Sequence, residues 1–568
     1  MENVFFDIGL IIIVATLLGY FARLMRQPLI PAYILAGAII GPAVLGLVTD
    51  AGLIRNLAEI GIAFLLFMVG LELDFKRLKC IGGVGSVGGL IKTAILFVFG
   101  YFIASQMNFT GSEPVYIAVV LSLSSTMVVV KLLSDKQELD TLHGRIVLGI
   151  LLMEDLIAIL FLAILAPNSV GFPIVALIKG ILVLGLLYLL TRSIFPSLFK
   201  FGARYTELLV LLALSTCFLF SMISHSFGFS IAIGAFIAGV SLANLPYNYE
   251  IASRVKSLRD FFSVLFFVTL GMKLVLTDIS SLVPTLIIFT VFVVVFKPIV
   301  IMVITSFFGY SIRTGFQCAM SLAQISEFSL IIITSAMMAG QISERLFTLT
   351  ILLAVITISL STYFIEFSRQ SYEMLRKALK VFQVRLPLRE FEFMDKDTKY
   401  NAVLIGYDRT GYSIVKKLHM MKKKLLVVDF NPEVIKKLIS QHVHCIYGDI
   451  SDIDILDRIE FRHVETVISS APVKKDNLLL IKKVKEKNPK ISIFVTAYHL
   501  DDALELYDMG ADYVILPHFI GGDHLSVLLE EVTPDISKLV RRKIKHIKEL
   551  KLRHRLGHEN ANNRHIHS

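Results

Sequence analysis

Residues 146–164, IVLGILLMEDLIAILFLAI, are apolar except for Glu154 and Asp155, which stand side by side near the middle. At 1.5 Å per residue a helix of this length crosses the hydrocarbon of a bilayer, about 30 Å thick. Two carboxyls at that depth cost roughly 2.5–3.5 kcal/mol each on insertion scales, so something must offset them. Either they sit at a helix end or pair with a neighbouring basic group, or they face a bundle interior and serve a pathway for a cation or proton. The second reading organises the rest of the chain.

Composition fits a large membrane region with a soluble appendage. The 568 residues are 55% hydrophobic and 18% charged, and the charges concentrate after about Arg369. The net charge of +10 does not point to nucleic acid, because much of it borders apolar segments, where topology accounts for it. Cys80, Cys217, Cys318 and Cys445 show no metal-ligand spacing and read as packing residues.

About thirteen spans are expected: 4–21, 29–48, 53–71, 84–106, 115–133, 146–166, 172–195, 206–226, 228–245, 261–277, 281–308, 314–338 and 346–366. Basic residues fall on alternate connections, among them Arg23 and Arg26, Lys76 and Arg77, Lys136 and Arg145, Arg254 and Lys256, and Arg313. By the positive-inside rule the N-terminus lies outside and the C-terminal region in the cytoplasm.

Several polar interruptions then converge. LSLSSTMVVV carries Ser122, Ser124, Ser125 and Thr126 at mid-span. These hydroxyls either bond their own helix carbonyls or mark a local break whose freed oxygens coordinate a small cation. CAMSLAQISEFSLII repeats the pattern with Ser321, Gln324 and Glu327. Lys297 stands beside Pro298 in the apolar run IIFTVFVVVFKPIVIMVI, too deep to snorkel easily, and is a candidate partner for Asp155. In QPLIPAYILAGAIIGP, Gly37 and Gly41 sit four apart, a spacing that lets helices approach closely. The acids Glu72 and Asp74, which end FLLFMVGLELD, read as a solvated membrane edge.

Together with FFSVLFFVTLGM, these motifs make the membrane region similar to the monovalent cation:proton antiporter-2 family, and within it to Kef-type potassium efflux antiporters. The resemblance implies inverted repeats, a core domain moving against a dimerisation domain in a homodimer, and helix breaks near residues 124–126 and 321–324. It also implies K+ or Na+ exchange for protons, with both competing for Asp155. Candidate ion or proton ligands are Asp155, Glu154, Lys297, Ser125, Thr126, Ser321, Gln324 and Glu327, with Asp155 as the ligand of the monovalent metal ion. Relatives commonly carry Asn, Gln or Asp where this chain has Glu154. A titratable Glu154 leaves room for a second proton per cycle, and a permanently protonated or salt-bridged one does not.

After a linker helix the composition becomes soluble. YNAVLIGYDRTGYSIVKKLHMM supplies a β-branched strand, a glycine turn and an amphipathic helix. Further strands are expected in KKLLVVDF, HCIYGD, ETVISSAP, ISIFVTAY and ADYVILP, so alternating units predict a parallel Rossmann-like α/β sheet. Gly406 and Gly411 are the outer glycines of a dinucleotide turn, and Asp429 lies where it could accept a ribose hydroxyl. Asp408 replaces the middle glycine, which favours an adenosine or mononucleotide over a full dinucleotide. Arg409 and Asp449, at the same strand ends, complete the candidate nucleotide set. The domain resembles the RCK, or TrkA-N, module that regulates potassium channels and transporters, with AMP or NAD(H) as the expected regulatory ligand.

The expected organisation is a polytopic α-helical antiporter domain over 1–368, a linker helix over 369–398, an RCK domain over 399–536 and a basic tail over 537–568, in the cell (inner) membrane. The tail, rich in Lys, Arg and His, reads as a solvated helix and disordered end. An RCK-gated cation channel is the alternative, but no TVGYG-like filter is present. No hydride-transfer machinery is evident, so an enzyme is not expected.

Overall fold

The computed structural model describes residues 4–520 other than 26, 43, 49–50, 73–83, 108, 137, 140, 165–184, 186–190, 228–230, 244, 246, 275–278, 383–391, 395–397, 408–410, 430–431, 449, 451–452, 472 and 518. The chain divides into two compact units, Met1–Leu386 and Pro387–Ser568.

The first unit is helical. It opens with α1 (Val4–Leu24), α2 (Leu29–Ile40) and α3 (Ala51–Glu72). Helix α4 begins in π turns at Val84–Gly88 and continues as Gly89–Gln106. Two half-helices, α5 (Glu113–Ser122) and α6 (Thr126–Asp135), precede α7 (Leu142–Ile164), the helix of the acid pair. Then come α8 (Phe195–Gly202), α9 (Thr206–Ser226), α10 (Ile231–Ala243) and α11 (Asn248–Met272). Helix α12 runs from Ile279–Val291 through π turns at Phe292–Phe296 into Lys297–Phe307. A second pair of half-helices, α13 (Ile312–Ser321) and α14 (Glu327–Met338), leads to α15 (Glu344–Glu366) and α16 (Ser368–Leu379).

Among the described residues six helical stretches are long and apolar enough to cross a membrane: Phe5–Leu24, Val84–Gln106, Glu113–Asp135, Glu207–Ser226, Ser280–Phe307 and Glu344–Glu366. Leu29–Ile40, Asn56–Leu71, Ile231–Ala243 and Glu327–Met338 are shorter apolar helices. The span expected at 172–195 lies mostly outside the described residues. The span expected at 261–277 belongs to a helix that starts at Asn248 and takes in the charged stretch RVKSLRD.

Helices α2 and α11 cross backbone to backbone. A Cβ on Gly37 would lie 1.8 Å from the Val268 carbonyl oxygen, and one on Gly271 would lie 1.9 Å from that of Ile34. Gly70 and Gly239 make the same kind of crossing between α3 and α10, with hypothetical Cβ atoms 2.3 Å and 2.1 Å from the carbonyl oxygens of Phe236 and Phe67. Lipid offers no hydrophobic drive between helices, so small residues that admit close backbone packing stabilise such crossings. Exposed Phe5, Phe6 and Phe21 on α1 and Val98 and Phe102 on α4 suit a lipid-facing surface.

The second unit is a seven-stranded sheet of order β1-β4-β3-β2-β5-β6-β7. Its strands are β1 (Glu392–Phe393), β2 (Ala402–Ile405), β3 (Leu425–Asp429), β4 (Cys445–Tyr447), β5 (Thr466–Ser469), β6 (Ser492–Thr496) and β7 (Tyr513–Ile515). The six strands read from the sequence are parallel, and central β2 pairs with both β3 and β5. β2 is buried along its whole length, which is why it reads as a continuous apolar run. β1, an antiparallel two-residue edge on β4, carries no sequence signal of its own.

Candidate functional site

Two interrupted helices meet at the centre of the first unit. Between α5 and α6 the chain is extended at Leu123 and Ser125, and the Ser125 hydroxyl accepts the Val128 N–H at 3.3 Å as the N-cap of α6. Between α13 and α14 it is extended at Ser326, whose hydroxyl accepts the Phe328 N–H at 3.0 Å. One serine of each polar interruption, Ser125 and Ser326, therefore restarts its helix. The second break runs to Ser326, two residues beyond the expected 321–324.

The breaks touch each other. Ser124 Oγ donates to Leu322 O at 3.3 Å. Lys297, fully buried, donates to Leu123 O at 2.6 Å and Gln324 O at 2.8 Å. The sequence suggested Asp155 as its partner, but its ammonium is held instead by one carbonyl from each break. Interrupted helices leave carbonyls that a cation can satisfy without a carboxylate.

Glu154 is paired with Lys92, a residue that the sequence reading passed over. Lys92 Nζ donates to Glu154 Oε1, to Ser122 O at 2.9 Å and to Ser124 Oγ at 3.4 Å. The other carboxylate oxygen of Glu154 accepts the Ser124 N–H at 2.5 Å. A signal was present in GGLIKTAILFVFG, where a lone lysine interrupts an apolar run.

Asp155, almost fully buried, faces the first residue of α6: Thr126 Oγ1 lies 3.1 Å from Oδ1 and 3.0 Å from Oδ2. Glu327 Oε1 accepts the Met127 N–H at 3.1 Å, so both carboxyl groups gather at the N-terminal turn of α6, where the helix dipole favours negative charge. Three buried atoms at this junction, Glu327 Oε2 and both Gln324 Nε2 and Oε1, have no hydrogen-bond partner among the described residues. Buried polar groups are rarely left so, and carboxylate and amide oxygens of this kind are suited to a small ion with oxygen ligands. Ser321 contributes differently: its hydroxyl donates to Gln317 O at 2.9 Å within its own helix.

In the second unit Gly406 closes β2 with a φ of +84°, and a Cβ there would sit 2.2 Å from Ser470 Oγ. Gly411 opens the next helix (Gly411–Met420) so close to the turn that its Cβ would lie 2.1 Å from Gly406 O. Asp429 is buried at the end of β3, and its Oδ2 accepts the Tyr407 N–H at 2.7 Å, so one carboxylate oxygen is used to hold the glycine turn. Asp408, Arg409 and Asp449 lie outside the described residues.

Comparison with known proteins agrees with both units. The family described as sodium/hydrogen exchanger, transmembrane, matches residues 10–367, and the TrkA-N domain matches residues 402–517. The Escherichia coli protein YbaL is 27% identical over 525 residues, covering 89% of this chain and 93% of its own. The K(+) efflux antiporter 5 of Arabidopsis thaliana is 31% identical over 374 residues, 63% of this chain and 64% of that protein. The glutathione-regulated potassium-efflux system protein KefC of Escherichia coli O45:K1 is 27% identical over 493 residues, 84% of this chain and 77% of that protein. The chain belongs to the sodium/hydrogen exchanger family, as a helical membrane transporter followed by a TrkA-N domain.

Proposed function

We propose that the chain exchanges a monovalent cation, K+ in preference to Na+, for protons by alternating access, with the two competing for Asp155. The observation that carries this reading is the contact of buried Asp155 with Thr126 at the start of α6, where the next N–H, that of Met127, is held by Glu327 from the second break. As a carboxylate, Asp155 offers a hard oxygen ligand, supplemented by Thr126 Oγ1, Gln324 Oε1 and Glu327 Oε2. Protonated, it no longer holds the ion, and a protein that reorients only when loaded with one or the other is an exchanger. The potassium efflux named in two of the relatives supports K+ as the cargo.

The membrane region works as a homodimer in a cell (inner) membrane, N-terminus outside and TrkA-N domain in the cytoplasm, as the basic connections suggest. The TrkA-N domain regulates exchange by binding AMP or NAD(H) at its glycine turn, with Gly406, Asp408, Arg409, Gly411, Asp429 and Asp449 as the proposed nucleotide-binding residues. The function is transport and not catalysis.

The test is fluorescence dequenching of a pH gradient in proteoliposomes on addition of KCl or NaCl, with wild type and Asp155→Asn, with and without AMP or NADH. Cation-driven collapse of the gradient in the wild type and its loss in Asp155→Asn is the expected result. Equal responses from the two proteins would overturn the competition mechanism.

A further inference from the structure

We propose that Lys92 is a positioning residue: with Glu154 it forms a charge-neutral clamp that fixes the break between α5 and α6, and thereby Thr126, against Asp155. The proposal rests on the antiport reading above.

Lys92 and Glu154 are each 1% exposed. An ammonium has three protons to give, and here all three have acceptors, Glu154 Oε1 and the Ser122 O and Ser124 Oγ that flank the break. Glu154 closes the ring from the other side by accepting the Ser124 N–H. Three elements, α4, the break and α7, are thus joined through one ion pair. Backbone groups freed inside a membrane must find partners within the protein, and this pair supplies them for Ser122 and Ser124.

The consequence for the ion site is geometric and electrostatic. Thr126 is two residues beyond Ser124, and its hydroxyl meets Asp155 at 3.0 Å, so movement of Ser124 is passed directly to that contact. Glu154 precedes Asp155 on the same helix, so an uncompensated charge at either member of the pair would act on an ion held by Asp155. While the pair is intact its charges cancel. Lys297 differs, since its bonds run to the neutral carbonyls of Leu123 and Gln324.

The experiment is a double-mutant cycle on the full-length chain, with Lys92→Gln, Glu154→Gln and the combined variant. KCl titrations of dequenching in proteoliposomes give the half-saturating concentration and the maximal rate separately. Glu154→Gln leaves the Lys92 ammonium without its counter-charge near Asp155, and raises the half-saturating concentration on the order of tenfold. The combined variant keeps donors and an acceptor at both positions without net charge, and brings that concentration back to within about threefold of wild type. A combined variant as impaired as Glu154→Gln overturns the clamp, and so does a Glu154→Gln value within about twofold of wild type.

Thermal unfolding of the same purified proteins in detergent reads the clamp independently of transport. Each single substitution lowers Tm by several degrees, on the order of 5 °C, and the combination restores most of it. Additive losses in the combined variant overturn the proposal. Wild-type protein that shows no cation-driven proton movement would overturn the antiport reading, and the unfolding cycle would still decide the clamp.

Discussion

Replacing Gly37 by alanine tests the close crossing of α2 and α11. The added Cβ would stand 1.8 Å from the Val268 carbonyl oxygen, about 1.6 Å short of ordinary van der Waals contact at 3.4 Å. The obstacle is backbone, so no side chain can rotate away, and the helices must part locally. Ile34 and Val268, both fully buried at this crossing, then lose contacts, and a gap of 0.5–1 Å already forfeits roughly a quarter to a half of each dispersion well. Overpacking of this kind costs about 3 kcal/mol or more. The assay is thermal unfolding in detergent, with Gly9→Ala as control, because a Cβ at Gly9 meets nothing within 4 Å. Gly37→Ala should lower Tm by about 5 °C or more, while Gly9→Ala leaves it unchanged or raises it through better helix propensity. If both variants melt within about 1 °C of wild type, the backbone contact does not stabilise the bundle and the reasoning fails.

Lys297→Met removes the donor shared by Leu123 O and Gln324 O; two buried carbonyls left unpaired cost about 1–3 kcal/mol each, so a marked loss of Tm and of exchange is expected, and unchanged values for both would refute the bridging role. In the second unit, Lys423 holds the exposed Glu465 carboxyl below its usual value of 4.5 by a hydrogen bond at 2.5 Å, with Asn401 adding a second. A depressed folded-state value means that the pair stabilises above the unfolded carboxyl range and that this is lost as pH falls through the folded value. Lys423→Met should therefore reduce unfolding temperature slightly near pH 7, with the difference from wild type shrinking as pH falls through the depressed folded-state value of Glu465; a difference that grows on acidification would contradict the sign.

Much of this architecture was legible in the sequence because it is written in local terms. The acid pair, the serine-rich interruptions and the glycines of QPLIPAYILAGAIIGP each depart from an apolar background, and each proved to be a buried carboxyl, a helix restart or a backbone crossing. The parallel strands were legible for the same reason, as β-branched runs between helical patterns. What escaped depends on distance across the fold. Lys92 and Glu154 are 62 residues apart, and no spacing rule links a lysine in one span to an acid in another. Lys297 reads as too deep to reach an interface, but carbonyl acceptors leave no mark in a sequence, so sequence alone points to a carboxylate where the structure has two carbonyls.

The membrane unit contains one arrangement twice. Lys92, the Ser124 N–H and Glu154 follow one another on α4, the first break and α7; Lys297, the Ile325 N–H and Thr357 do so on α12, the second break and α15. Both lysine-bearing helices contain a π segment before the lysine. Where the first copy meets its break with a carboxylate, the second offers a hydroxyl that already donates to Leu353 O at 2.8 Å. The two copies are therefore mechanical equals but chemical unequals. The first break is thus closed by an ion pair and the second by a hydroxyl.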